Sequence, residues 1–183
     1  MQHSTSSENG PRPWAKATWI LVPALAFVAL LAFATSRTSG APEVGDRAPE
    51  FEAELLEGEG TLALEDLEGR PVFLNFWASW CVPCVEEAAI IRRAHETYGE
   101  EIQFIGVDIR DARSEATDFV ERYGLDYVHV RDEDLRIYRD YGLTGQPESF
   151  FIGSDGVVVQ HVNGPLTEET LFQYLDVLVR RGA

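Results

Sequence analysis

Both cysteines of the chain lie in one short segment, Trp77 to Glu87, which reads WASWCVPCVEE. Two residues separate Cys81 from Cys84, and two acids follow directly after them. Two thiols at this spacing can be oxidised to a disulfide and reduced again by thiol-disulfide exchange. The segment therefore predicts a redox-active pair, in which the disulfide itself takes the place of a cofactor.

Three other uses of the pair remain open at this point. A zinc site needs two more ligands, and the only candidates downstream are the isolated His95, His129 and His161, so we expect no metal. A purely structural disulfide would close so short a loop that it restricts the unfolded chain very little. A peroxidase is a third reading, although two cysteines at the start of a helix suit exchange better.

The elements around the pair favour a reactive thiolate. The nearly unbroken apolar run 71–78 is typical of a buried strand, and the pattern after it predicts a helix from Val82 to about Tyr98. Cys81 would then lie at the helix N-terminus, where free amide groups and the helix dipole stabilise a negative charge. We expect Cys81 to be the exposed, attacking sulfur and Cys84 the resolving one. Pro83 is compatible with the first turn, where its missing N–H costs no hydrogen bond.

The remaining pattern predicts an α/β domain with a mixed sheet. Its other expected strands are 51–55, 61–64, 102–109, 149–153 and 157–162, and its other expected helices are 114–124, 135–141 and 167–180. Ser114 is expected to cap the first of these helices.

The N-terminal part predicts a membrane segment. We divide the chain into a cytoplasmic N-terminus (1–16), a transmembrane anchor (17–36), a linker (37–49) and a domain that begins near Val44 (44–183). The anchor has twenty residues without a charge, enough for a helix to cross a bilayer. A cleaved signal peptide, with Ala32–Phe33–Ala34 as its cleavage site, is the alternative. The basic residues before the segment favour a single-pass protein with its domain outside the cytoplasm.

The domain is strongly acidic. From Ala41 onward the chain has 12 arginines, no lysine and 30 aspartates and glutamates, which leaves a formal charge of −18. Nucleic acid is therefore not expected as a partner.

Four motifs resemble one known family. VGDRAPEFE, FLNFWASWCVPC, GLTGQPESFFI and VNGPLT, spread from Val44 onward, are similar to the membrane-anchored, thioredoxin-like thiol-disulfide oxidoreductases of cytochrome c maturation, the TlpA/ResA and DsbE-like group. The resemblance implies a thioredoxin-like fold and a cis-proline at Pro147. It also implies that the backbone at Gln146 receives an extended substrate strand, and we expect Trp80 and Pro83 to line the same surface.

The resemblance also bears on the acids behind the pair. Asn75 replaces the buried aspartate of ordinary thioredoxin, and Glu87 matches the glutamate that the family has near its cysteines. Glu87 shares a helix face with Cys84, whereas Glu86 points toward water. We expect Glu87 to be partly buried, with a raised pKa, and to accept the proton that Cys84 loses when it attacks.

The function that the resemblance implies is reduction of the disulfide in apocytochrome c, so that its CxxCH thiols can take haem. A membrane thiol carrier of the CcdA/DsbD type would supply the electrons. The alternatives are a general oxidase or isomerase of exported proteins, and a protein that presents apocytochrome or haem without turnover.

Overall fold

The computed structural model describes residues 40–182 and, from the part before them, Phe27 alone. The predicted cytoplasmic N-terminus and residues 37–39 of the predicted linker lie outside the described residues, and so does the predicted anchor apart from Phe27. Within the described part of the chain, no helix is both long and apolar enough to cross a membrane.

The centre of the domain is a five-stranded mixed sheet with the order β5-β4-β3-β6-β7. Its strands are β3 (Val72–Trp77), β4 (Gln103–Ile109), β5 (Val128–Asp132), β6 (Glu148–Ile152) and β7 (Val158–Asn163). Strands β3, β4 and β5 are parallel, while β6 is antiparallel to β3 and β7 to β6. A separate hairpin is formed by β1 (Glu52–Glu54) and β2 (Thr61–Ala63). The predicted α/β class and mixed sheet are confirmed.

The helices connect and cover these strands. They are a 3₁₀ turn (Leu64–Leu67) and the helices α1 (Val82–Tyr98), α2 (Arg113–Tyr123), α3 (Arg136–Asp140) and α4 (Glu168–Gly182). The prediction for α1 is confirmed at both ends. The prediction that Ser114 caps α2 is wrong, because the N-cap is Ala112 and no side chain makes a capping hydrogen bond there.

The sheet has a hydrophobic core on each face because successive side chains of a strand point to opposite sides. In β3, Val72, Leu74 and Phe76 lie in one core with residues of β4, β6 and α3. Phe73 and Trp77 point to the other face, where they pack with side chains of α1, α2 and α4. Strand β3 is fully buried, and this fixes the position of the loop that follows it.

Backbone contacts already begin in the segment predicted to be a linker. The Gly45 N–H donates to Val158 O over 2.9 Å, and the Ala48 N–H donates to Gly156 O over 2.9 Å. Residues 45–48 therefore lie along the β7 edge of the sheet, next to the predicted start of the domain at Val44.

Candidate active site

The disulfide lies where strand β3 ends and helix α1 begins. Cys81 and Cys84 are joined by an S–S bond, and Cys81 is the N-cap of α1. Its Sγ accepts a hydrogen bond from the Cys84 N–H over 3.2 Å, and Pro83 lies in the first turn. After reduction, this amide and the helix dipole would stabilise a thiolate on Cys81, as the sequence predicts.

The expectation that Cys81 is exposed is wrong for the disulfide form. Cys81 is 4% exposed and Cys84 2%. The neighbours of Cys81 in the chain, Trp80 and Val82, are large apolar side chains exposed to solvent. A substrate would therefore first contact these two side chains above a nearly covered sulfur.

The loop before β6 lies against the same sulfur. The Gln146–Pro147 peptide bond is cis, as the resemblance implies. The carbonyl oxygen of Gln146 is 3.6 Å from Cys81 Sγ, and Pro147 is buried. This places the backbone of Gln146 beside the sulfur that is expected to attack the substrate.

Glu87 lies one turn after Cys84 and is the buried member of the pair of acids. It is 2% exposed, whereas Glu86 faces solvent. Its Oε1 accepts a hydrogen bond from Asn75 Nδ2 over 3.0 Å, and its Oε2 accepts one from the Leu166 N–H over 2.9 Å. The helix face predicted for each acid is confirmed.

The burial of Glu87 changes its acidity. Loss of solvation raises the pKa of Glu87 from 4.5 to about 7, although the hydrogen bonds from Leu166 and Asn75 oppose this shift. Near neutral pH the group is therefore divided between its acid and carboxylate forms. A carboxyl group in this state can accept and return a proton beside a thiol.

A groove runs along the surface next to the disulfide loop. It has a volume of about 250 Å³ and lies between Ser79, Val85 and the α2 side chains Phe119 and Tyr123. Its charged rim is formed by Glu115, Asp118 and Arg122.

The comparisons with known proteins agree with this geometry. Residues 44–161 match the AhpC/TSA family. The chain belongs to the AhpC/TSA family. It is 36% identical over 134 residues to the thiol-disulfide oxidoreductase ResA of Bacillus thuringiensis, covering 73% of this chain and 77% of that one. The ResA of Bacillus subtilis is 30% identical over 135 residues, with 73% and 75% covered.

Solved structures place this AhpC/TSA family member in the thioredoxin-like fold. A protein of Chlorobium tepidum assigned as the thiol:disulfide interchange protein DsbE has a TM-score of 0.70 and 27% identity, covering 76% of this chain and 99% of that one. A secreted Mycobacterium tuberculosis disulfide oxidoreductase homologous to E. coli DsbE has a TM-score of 0.65 and 27% identity, with 70% and 96% covered. Together with the disulfide at the start of α1, these relatives show a thiol-disulfide oxidoreductase of thioredoxin-like fold.

Two members of the hydrogen-bond network around Glu87 in this AhpC/TSA family member, Ser149 and Leu166, were missed from the sequence. Asn75 Nδ2 also donates to Ser149 Oγ over 3.0 Å, and Leu166, whose N–H donates to Glu87, lies within the VNGPLT motif. Asn75 faces Ser149 because β3 pairs with β6, a pairing between residues 74 positions apart. No local sequence pattern reports a contact of this range, so only the motifs that contain these residues could have indicated them.

Proposed function

We propose that the enzyme reduces a disulfide in an exported protein, and that this substrate is the CxxCH segment of apocytochrome c. The observation that carries the proposal is the buried Glu87, whose two oxygens are held by Asn75 and Leu166 one helical turn from Cys84. A proton acceptor at this point can take the proton that Cys84 loses when it attacks the mixed disulfide, and this attack releases the substrate in its reduced form.

Reduction proceeds in two exchange steps. The Cys81 thiolate attacks one sulfur of the substrate disulfide, forming a mixed disulfide and releasing the other substrate sulfur as a thiolate. Cys84 then gives its proton to the Glu87 carboxylate and attacks Cys81 Sγ. This closes the Cys81–Cys84 disulfide and releases the second substrate thiolate. Two electrons pass from the enzyme to the substrate, and the released thiolates take up protons.

The negative charge of Glu87 also limits the reaction. A carboxylate beside the cysteines raises the pKa of their thiols and lowers the fraction of thiolate. Indiscriminate attack then slows, and a substrate that docks against Trp80 and the Gln146 backbone gains an advantage. The groove beside Ser79 has room for residues that flank the substrate cysteines.

The proposal includes the location and the electron donor. The predicted single-pass anchor at 17–36 would hold the domain on the outer side of the cell membrane. There a membrane thiol carrier of the CcdA/DsbD type would return two electrons to the Cys81–Cys84 disulfide.

Trapping the mixed disulfide tests the substrate. A Cys84→Ser chain cannot resolve its complex, so mass spectrometry of trapped adducts from the native host should find CxxCH proteins. Cys81→Ser is the control and should trap nothing. Adducts that consist of many unrelated exported proteins, without CxxCH proteins among them, would refute the proposed substrate.

A further inference from the structure

Two more buried acids lie next to the disulfide loop, outside the machinery described above. Asp108 is near the end of β4 and is 1% exposed, and Asp111 follows in the loop before α2 and is 5% exposed. Asp111 Oδ2 accepts a hydrogen bond from the Ser79 N–H over 2.6 Å. Because Ser79 is two residues before Cys81, this contact attaches the disulfide loop to the end of β4.

The two residues lie beside each other, since Arg131 of β5 reaches both of them. Two buried carboxylates that face a single cation repel each other, and a buried carboxylate oxygen without a donor is unfavourable, so the pair is more stable if it keeps one proton. The Oδ1 atom of each group is buried and has no hydrogen-bond partner among the described residues. Burial, and then the charge of Asp111, raise the pKa of Asp108 to about 8, and Arg131 opposes this shift.

One positive charge faces the pair. The side chain of Arg131, on β5, is almost buried, with Nε 3.7 Å from Asp108 Oδ2. Its Nη2 donates to the carbonyl oxygen of Asp111 over 3.0 Å, and its Nη1 contacts the exposed Glu133. A pair that keeps its proton has one negative charge, which Arg131 balances. A pair that loses its proton has two negative charges, and Arg131 balances only one of them.

Two other cations are close in sequence: Arg110 is exposed to solvent, and Arg113 has partners elsewhere. Arg113 at the start of α2 donates to the carbonyl oxygens of Leu55 and Leu56 and pairs with Glu54. From the end of β3, the group that faces the pair is the uncharged Ser79 N–H.

We propose that Asp108 and Asp111 share one proton and act as a positioning pair, which holds the Ser79–Cys81 segment for exchange and releases it when the proton is lost at alkaline pH. Loss of the proton leaves two adjacent carboxylates, which repel each other, and Asp111 can then move away from the Ser79 N–H. The inference rests on the exchange activity and does not depend on which protein disulfide is reduced.

The test is the pH profile of a single turnover. The reduced full-length chain, purified in detergent, is mixed with the small aromatic disulfide 5,5′-dithiobis(2-nitrobenzoate), and the rate is followed from weakly acidic to alkaline pH. Asp108→Asn is the informative variant, because its amide donates to Asp111 at every pH as the protonated acid does. Glu121→Gln, an exposed acid of α2, is the control for the lost charge.

The expected result is a wild-type rate that falls at alkaline pH while thiolate is still increasing. At about pH 9 only about one tenth of the molecules keep a proton whose pKa is about 8, so Asp108→Asn should react about ten-fold faster than the wild type. Glu121→Gln should follow the wild type. Parallel profiles for wild type and Asp108→Asn would overturn the proposal.

A second measurement needs no variant that could fail to fold. Carbon NMR of the wild-type chain labelled with ¹³C-aspartate should show one carboxyl group that titrates in the alkaline range. Exchange of the Ser79 amide with solvent should accelerate over the same range, beyond the ordinary increase with pH. If no aspartate titrates there, or if the Ser79 amide does not respond, the shared proton does not control the loop and the proposal is wrong.

Discussion

Glu87 is the residue on which the proposed exchange depends most. Both of its oxygens receive N–H donors, from Asn75 and Leu166, so the carboxylate form is held in place although it is buried. Desolvation nevertheless raises the pKa to about 7, which makes the two protonation states nearly equal in free energy at neutral pH. A group in this balance can take the proton of Cys84 and later return it to solvent.

Glu87→Gln should therefore change the chemistry of both cysteines. The variant loses the negative charge, so the pKa of Cys81 should fall, and it loses the proton acceptor, so resolution by Cys84 should slow by about 10²-fold or more. The measurements are a thiolate absorbance titration and single-turnover reduction of a CxxCH peptide disulfide. Glu86→Gln is the matched control, since Glu86 is exposed. Equal effects of the two substitutions would remove Glu87 from the proton route.

The raised pKa of Glu87 also predicts how stability depends on pH. The folded state binds the proton of Glu87 more tightly than the unfolded state does. Below about pH 4.5 both states are protonated, and the burial of Glu87 does not lower the free energy of unfolding through a charge. As pH rises from 4.5 to about 7, the unfolded chain releases the proton first and the free energy of unfolding falls by about 3 kcal/mol. The free energy of unfolding of the oxidised wild type, measured in denaturant, should fall over this pH range by about 3 kcal/mol more than that of oxidised Glu87→Gln. A constant difference across the range would contradict it.

At the scale of elements, the sequence predicted the strands and helices whose buried residues form a regular apolar pattern. Strand β3 and helix α1, which position the disulfide, were both predicted because one is a continuous apolar run and the other has a clear periodic face. Strand β5, with the sequence VHVRD, was missed. Its exposed residue is the apolar Val128, while His129 and Asp132 are buried.

The polar residues of β5 can be buried because each has a partner outside the strand. His129 Nε2 is 3.1 Å from the Leu125 carbonyl oxygen, and Arg131 faces Asp108. Asp132 accepts hydrogen bonds from the Ile137 and Tyr138 N–H groups at the start of α3. In β5, polar side chains are therefore buried and an apolar one is exposed, which is the reverse of the usual pattern. For the same reason the Asp108–Asp111 pair could not be read from the sequence.

Strand β4 supports this arrangement with a glycine that lies between two rings. A Cβ on Gly106 would meet the ring of His129 and would lie 2.7 Å from Trp77 Nε1. Gly106→Ala should therefore lower the free energy of unfolding by about 2 kcal/mol, measured in denaturant. Gly145→Ala, where a Cβ has nothing within 4 Å, should change it by less than about 0.5 kcal/mol. Equal stability of the two variants would show that the rings can move apart at no cost.

At the scale of the whole molecule, charge and hydropathy divide the chain into two parts. The domain has a formal charge of −18, whereas residues 17–36 have no charge at all. Arg12 and Lys16 precede this apolar segment, and Arg37 is the only basic residue shortly after it. Positive residues concentrate on the cytoplasmic side of membrane helices, so this bias favours an exported domain. Export would also place the cysteine pair where protein disulfides form and persist.

The topology can be tested on the intact chain. A reporter that is active only outside the cytoplasm, fused after Ala183, should give activity, and a reporter that requires the cytoplasm should not. The protein purified from membranes should keep the residues before Ala34, because we expect an apolar segment of this length, longer than a typical signal core, to be an uncleaved anchor. A mature N-terminus at Thr35 would show instead that the segment is a cleaved signal peptide. The opposite reporter pattern would place the cysteines in the cytoplasm and would contradict both the location and the proposed reduction of exported substrates.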